Sequence, residues 1–130
     1  MVGGETMNFN TVARIAIICA FIGLTDARAA DWDNTDRALF GGFVALQVAD
    51  GLQTNEIRKH PDRFRETNRL YGDPPQMGRV LAVKAVATGA LYWLVRDMPG
   101  VDRKVLLGAL DAVYVGIVAH NYTVGIRIGF

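Results

Sequence analysis

The sequence predicts an all-α fold: a small polytopic membrane protein with three transmembrane helices behind an N-terminal signal sequence. Three observations predict it. The apolar residues, 51% of the 130, gather in four blocks separated by charged segments. None of these blocks alternates as a half-buried strand does, and none has the polar face of a surface helix in water. A chain of about 100 residues must also leave much of its surface exposed, so it cannot bury three helices that are apolar all round. Lipid is then the solvent that suits them. Residues 1–29 read as the signal peptide and 30–130 as a single helical membrane domain, with spans near 36–56, 79–97 and 103–121.

Composition removes several function classes. A net charge of +1 gives no basic excess with which to hold nucleic acid. The single cysteine, Cys19, excludes an intramolecular disulfide framework and multi-cysteine metal sites. Two histidines, His60 and His120, are too few for a histidine-rich metal centre, so no metal and no cofactor is expected.

The first block, 15–25, follows Arg14 and precedes Ala27-Arg28-Ala29. A basic residue, a short apolar core and two small residues at A-x-A spacing are the parts of a bacterial secretory signal, with cleavage before Ala30. Met7 is a possible start, since it leads straight to Arg14. Eleven residues fall short of the roughly 20 needed for a span, which disfavours a retained fourth helix.

The second block, 38–52, follows an acidic lead of Asp31, Asp33 and Asp36 that reads as exposed, with Asn34 or Thr35 as its cap. The third, 80–95, stops before the break at Pro99-Gly100. The fourth, 105–119, opens after Asp102, a candidate cap, and ends near His120-Asn121. Each block is fifteen or sixteen residues long and must extend into its polar flanks to cross a core of about 30 Å.

Charge orients them. Arg58, Lys59, Arg63, Arg65, Arg69 and Arg79 are six of the fourteen basic residues, all in or beside the loop 57–79. Positive loops stay cytoplasmic. With an exported N-terminus, the first mature helix runs inward, the second outward and the third inward, in the bacterial inner membrane.

Polar groups inside the blocks then converge on the cytoplasmic end. Asp50, Gln53 and Thr54 fall at helical spacing with Gln47 on the first helix. Lys84 lies one turn inside the second, and His120 and Asn121 close the third. Glu66, Asn68 and Arg79 of the basic segment are placed to close over them. An Asp50–Lys84 ion pair is expected, since each would offset the other's desolvation. Asp111 sits nearer the outer half without an obvious partner, and His60, before Pro61, reads as a solvated turn residue.

Two readings compete for the cluster. In one it is a catalytic or binding pocket, with Asp50 or Glu66 as base, His120 as acid or ligand and Lys84 or Arg79 holding an anionic headgroup. In the other it is interhelical hydrogen bonding with snorkelling basic side chains. No H-E-x-x-H, G-x-S-x-G or phosphate-cradling glycine loop is present, so no catalytic residue is assigned. Rows of small residues (Gly42, Ala45, Ala49; Ala82, Ala85, Gly89; Gly108, Ala112, Gly116) permit close helix approach. Packing within one chain would use up most of these rows. The alternating tail from Tyr122 to Phe130 looks like the closing strand of an outer-membrane barrel. With no other strands to join, it reads as an interfacial or extended tail.

The run Asp50-Gly51-Leu52-Gln53-Thr54, then His60-Pro61, then Glu66-Thr67-Asn68 with Gly72 and Pro74, resembles a group of small uncharacterised membrane proteins of bacteriophages and proteobacteria. That pattern is D-x-x-Q-T, an H-P pair, then E-x-N-P, a glycine and a proline. Arg69 stands here where the proline after E-x-N usually stands. The resemblance covers about residues 45 to 130 and says nothing of chemistry. It implies a small phage-encoded membrane protein. The expected function is therefore non-enzymatic, acting by helix packing, a second copy or a membrane partner, with membrane lipids around it. A membrane-embedded hydrolase or lipid-headgroup binder using the cluster is the alternative, and a soluble periplasmic helical domain is a third reading.

Overall fold

The computed structural model describes residues 31–128, which contain three α-helices and no strand. The signal peptide read at 1–29 and the aromatic C-terminus lie outside the described residues. Helix α1 spans Asn34–Lys59, α2 spans Met77–Val95 and α3 spans Gly100–Thr123. At 1.5 Å per residue they are about 39, 28 and 36 Å long. Two of them, α2 and α3, are long and apolar enough to cross a membrane.

Local chemistry sets each boundary. Asp33, and neither Asn34 nor Thr35, caps α1. Its carboxylate accepts from the Asp36 backbone N–H at 2.9 Å, while Asp36 accepts from the Asp33 backbone N–H at 3.0 Å. This reciprocal box satisfies two of the donors that a helix start leaves orphaned. At the other end His60 forms the cap, its backbone N–H bonded to the Glu56 and Ile57 carbonyls. Helix α3 begins at Gly100 behind Pro99, so Asp102 lies in the first turn rather than at the cap. Its acid still complements the positive end of the helix.

The end of α3 differs most from expectation. Tyr122 and Thr123 belong to the helix, and the chain then turns back at Gly125, whose φ is +92°. The Gly125 N–H bonds to the Tyr122 carbonyl and the Ile126 N–H to the Asn121 carbonyl. That pair of bonds is a Schellman motif, which needs a residue in the left-handed region and favours glycine there. Ile126 is buried behind it. The alternation seen in the sequence is thus a helix terminus with its capping hydrophobic contact.

Packing is centred on α1. Its first half meets α2 through an aromatic group in which Trp32, Phe40 and Tyr92 lie 5.5 to 5.9 Å apart between ring centroids. Phe43 packs edge-on against Tyr114 of α3 at 5.5 Å. With Val44, Leu91, Val95 and Leu107 these residues form the core. The bonds between elements fix direction. Asp36 contacts Arg103 and Gln53 contacts Asn121, pairs separated by 67 and 68 positions, so α1 and α3 run parallel in one register. Phe40 meets Tyr92 while Gln47 meets Lys84, so α2 runs antiparallel to α1.

Two expectations fail here. Asp31 and Asp33 of the acidic lead are exposed, but Asp36 is buried at 1% exposure, beside the buried Trp32. Asp36 is drawn in by Arg103, whose guanidinium lies 2.9 Å from it and 5.1 Å from the Trp32 ring centroid. The small-residue rows are also mostly unused. A Cβ built at Gly89, Gly108 or Gly116 would meet nothing within 4 Å, and Ala82, Ala85 and Ala112 are exposed. Close approach is used at Gly42, where Asp111 lies 3.2 Å from such a Cβ, and at Gly51, crossed by the Lys84 stem. A parallel α1–α3 pair with α2 on one side leaves the other helix faces outward.

Candidate functional site

Polar side chains gather at both ends of the helix group, not at one. At the end where α1 and α3 begin, the Asp36–Arg103 pair is joined by Lys104, 2.8 Å from Asp33 and 3.5 Å from Asp36. Arg103 also donates to the Met98 carbonyl at 2.9 Å. The exposed Asp33 carboxyl is held below its ordinary pKa, first by its hydrogen bond to Lys104 and then by the backbone bond to Asp36. Sequence reasoning missed this cluster because it grouped Asp36 with its exposed acidic neighbours. The Asp33–Asp36 spacing was the signal available.

At the opposite end, the expected ion pair between α1 and α2 forms. Lys84 Nζ lies 2.6 Å from Asp50 Oδ2 and donates to Gln47 Oε1 at 3.0 Å. It also sits about 6 Å from the ring centroids of Tyr71 and Tyr114. Gln53, fully buried, faces α3 instead. Its amide donates to the Val118 carbonyl at 3.1 Å and accepts from Asn121 at 2.9 Å. Thr54 donates back to the Asp50 carbonyl. The polar stripe on α1 is therefore divided, one part facing α2 and one facing α3.

The loop after α1 is shaped by its own side chains. Glu66 accepts from the Asn68 N–H at 2.8 Å, and Asn68 accepts from the Leu70 N–H at 3.1 Å. These are local turns of the kind Asn and Glu offer a loop backbone. They deliver Tyr71, which is buried. Burial, and then the nearby Asp50, Tyr114 and Glu66, push the Tyr71 hydroxyl up to about 12. Asp50, Glu66 and Tyr71 line one cleft.

There the loop, α1 and the second half of α3 enclose a cleft of about 680 Å³. Of the nine predicted cluster residues, Asp50, Thr54, Glu66, Asn68, His120 and Asn121 line it. Gln53 lies behind it, holding Asn121, and Lys84 reaches it through Asp50. Arg79 is exposed on the first turn of α2 and is not among the lining residues. Sequence reasoning did not single out Arg65, Tyr71 or Tyr114, which also line it. Only their place in the fold brings them there. His60 carries an exposed side chain bonded to Glu56 at 2.9 Å, outside the cleft.

His120 makes no side-chain hydrogen bond among the described residues, and no group of His, Cys, Asp and Glu suited to a metal is found among them. Asp111, midway along α3, has a buried Oδ1 with no hydrogen-bond partner. Comparison with protein-family models, curated proteins and solved structures yields no match.

Proposed function

We propose that the chain is a non-enzymatic protein of the bacterial inner membrane, a phage or prophage product acting through helix packing or partner binding. One observation carries this reading: the two most apolar helices turn their apolar residues outward. Only 6% of the most apolar window of α3 is buried, and 33% of that of α2, while Trp93, Val101, Val105 and Val113 are more than half exposed. Water would penalise such a surface at roughly 25 cal/mol per Å², and contiguous exposed apolar area of this kind marks a lipid or protein contact.

In this reading α1 is the third span, protected by its position between α2 and α3. The exported N-terminus, inward α1, cytoplasmic loop 57–79, outward α2 and inward α3 agree with a parallel α1–α3 pair and a reversed α2. Two interior charge pairs, Asp36–Arg103 and Asp50–Lys84, are engaged between helices, which supports packing over catalysis. The unused small-residue rows leave room for a second copy or another membrane helix. The resemblance of Asp50, Gln53, Thr54, Glu66 and Asn68 to the phage membrane-protein pattern belongs to the same proposal. The cleft favours a second reading, lipid-headgroup binding or hydrolysis.

Alkaline carbonate extraction tests the membrane assignment: the chain is expected in the pellet, and release into the supernatant would overturn it. Alanine at Asp50, Glu66 and His120 separates the two readings. Loss of the protein itself is expected from packing at Asp50, whereas loss of activity at normal abundance would point to chemistry.

A further inference from the structure

The α3 wall of the cleft is apolar and does not end at its rim. Val113 and Ile117 line it and are also 58% and 40% exposed on the molecular surface. The cleft is therefore continuous with the outward apolar face of α3, where α2 and α3 make little contact. Its other end is polar. Lys84 engages Asp50 only through Oδ2, and the Asn68 N–H engages Glu66 only through Oε1. Each carboxylate keeps one oxygen without a hydrogen bond among the described residues. Arg65, loosely set 3.7 Å from Asp73, and His120 supply donors on the same cleft.

We propose that this cleft holds a zwitterionic glycerophospholipid whose headgroup carries a primary ammonium. The ammonium sits against the open oxygens of Asp50 and Glu66, the phosphodiester against Arg65 and His120, and an acyl chain along Val113 and Ile117. Two carboxylates disfavour a headgroup whose only charge is negative. A quaternary ammonium has no N–H to donate, so it forgoes the charge-assisted hydrogen bonds that a primary ammonium makes. The apolar wall selects a lipid over a free headgroup, because a water-soluble zwitterion would leave Val113 and Ile117 uncovered. The inference rests on the membrane reading above.

Native mass spectrometry of the full chain in neutral detergent tests it, with phosphatidylethanolamine, phosphatidylcholine and phosphatidylglycerol of identical acyl chains as probes. Phosphatidylethanolamine is expected to bind about tenfold tighter than either other lipid, the factor expected from one charge-assisted hydrogen bond. Glu66→Gln should remove most of that preference, weakening phosphatidylethanolamine binding and strengthening phosphatidylglycerol binding as one repelling charge is lost. Equal binding of the three lipids by the unaltered chain overturns the proposal whether or not the variant folds. Phosphoethanolamine binding as tightly as the lipid overturns the lipid as occupant. A chain released by alkaline carbonate would refute the membrane reading, whereas a carbonate-resistant chain without headgroup preference refutes this inference alone.

Discussion

Asp36 shows how much one side chain can be asked to do. It closes the α1 capping box, meets Arg103 and lies 3.5 Å from Lys104, all at 1% exposure. A buried carboxylate is tolerable only with such partners. Arg103→Met leaves it with Lys104 as its one remaining charged partner, and unfolding in detergent micelles should show a loss of about 3 kcal/mol. Asp36→Asn combined with Arg103→Met should recover much of that, since no orphan charge remains. Gln53 makes the parallel case at the other end. Gln53→Leu strands the Asn121 amide and should cost about 1–3 kcal/mol, with Gln53→Leu/Asn121→Leu closer to the unaltered chain. Asp33 adds a pH dependence outside the helices. Its carboxyl is held below 3.8 in the folded chain, so its contribution is present above that value and disappears as pH falls through the lowered one. Asp33→Asn keeps a capping side chain, loses the Lys104 charge pair, and should flatten the acid limb of a micellar stability curve.

At the scale of elements, helix ends carry the information that the apolar blocks lack. The blocks place the three helices, but the capping box at Asp33 and the Schellman turn at Gly125 decide where α1 starts and α3 stops. Gly125→Ala puts a Cβ at φ +92°, which costs roughly 1–2 kcal/mol. Open space surrounds that Cβ, so the cost is conformational and should appear as fraying of 120–126 in amide hydrogen exchange, with Ile126 released. The core of α1, including Phe40 and Phe43, should keep its protection. The alternation that starts at Tyr122 misleads because, over the described residues 122–128, a capped helix end followed by a buried Ile126 also places apolar residues at every second position.

For the whole molecule, direction is the quantity to measure. In a Cys19→Ser background, Arg63→Cys in the loop after α1 and Asp97→Cys in the α2–α3 connection lie at opposite ends of α2. A membrane-impermeant thiol reagent added to spheroplasts should label Asp97→Cys and spare Arg63→Cys, and the reverse pattern would invert the proposed topology. The sequence by itself determined that there are three helices among the described residues, that Asp50 and Lys84 pair, and that Asp50, Thr54, Glu66, Asn68, His120 and Asn121 come to one end of the helix group, where they line one cleft. Helical period and apolar length are local properties, and a charge amid apolar neighbours needs a partner at matching depth. Only the tertiary structure decided that α1 is the central helix, that Asp36 is buried against Arg103, and that most of the small-residue rows stay open. It also brought Arg65, Tyr71 and Tyr114 to the cleft. Those outcomes depend on which faces meet, and a face is chosen by the summed fit of residues dozens of positions apart, which no window of sequence contains.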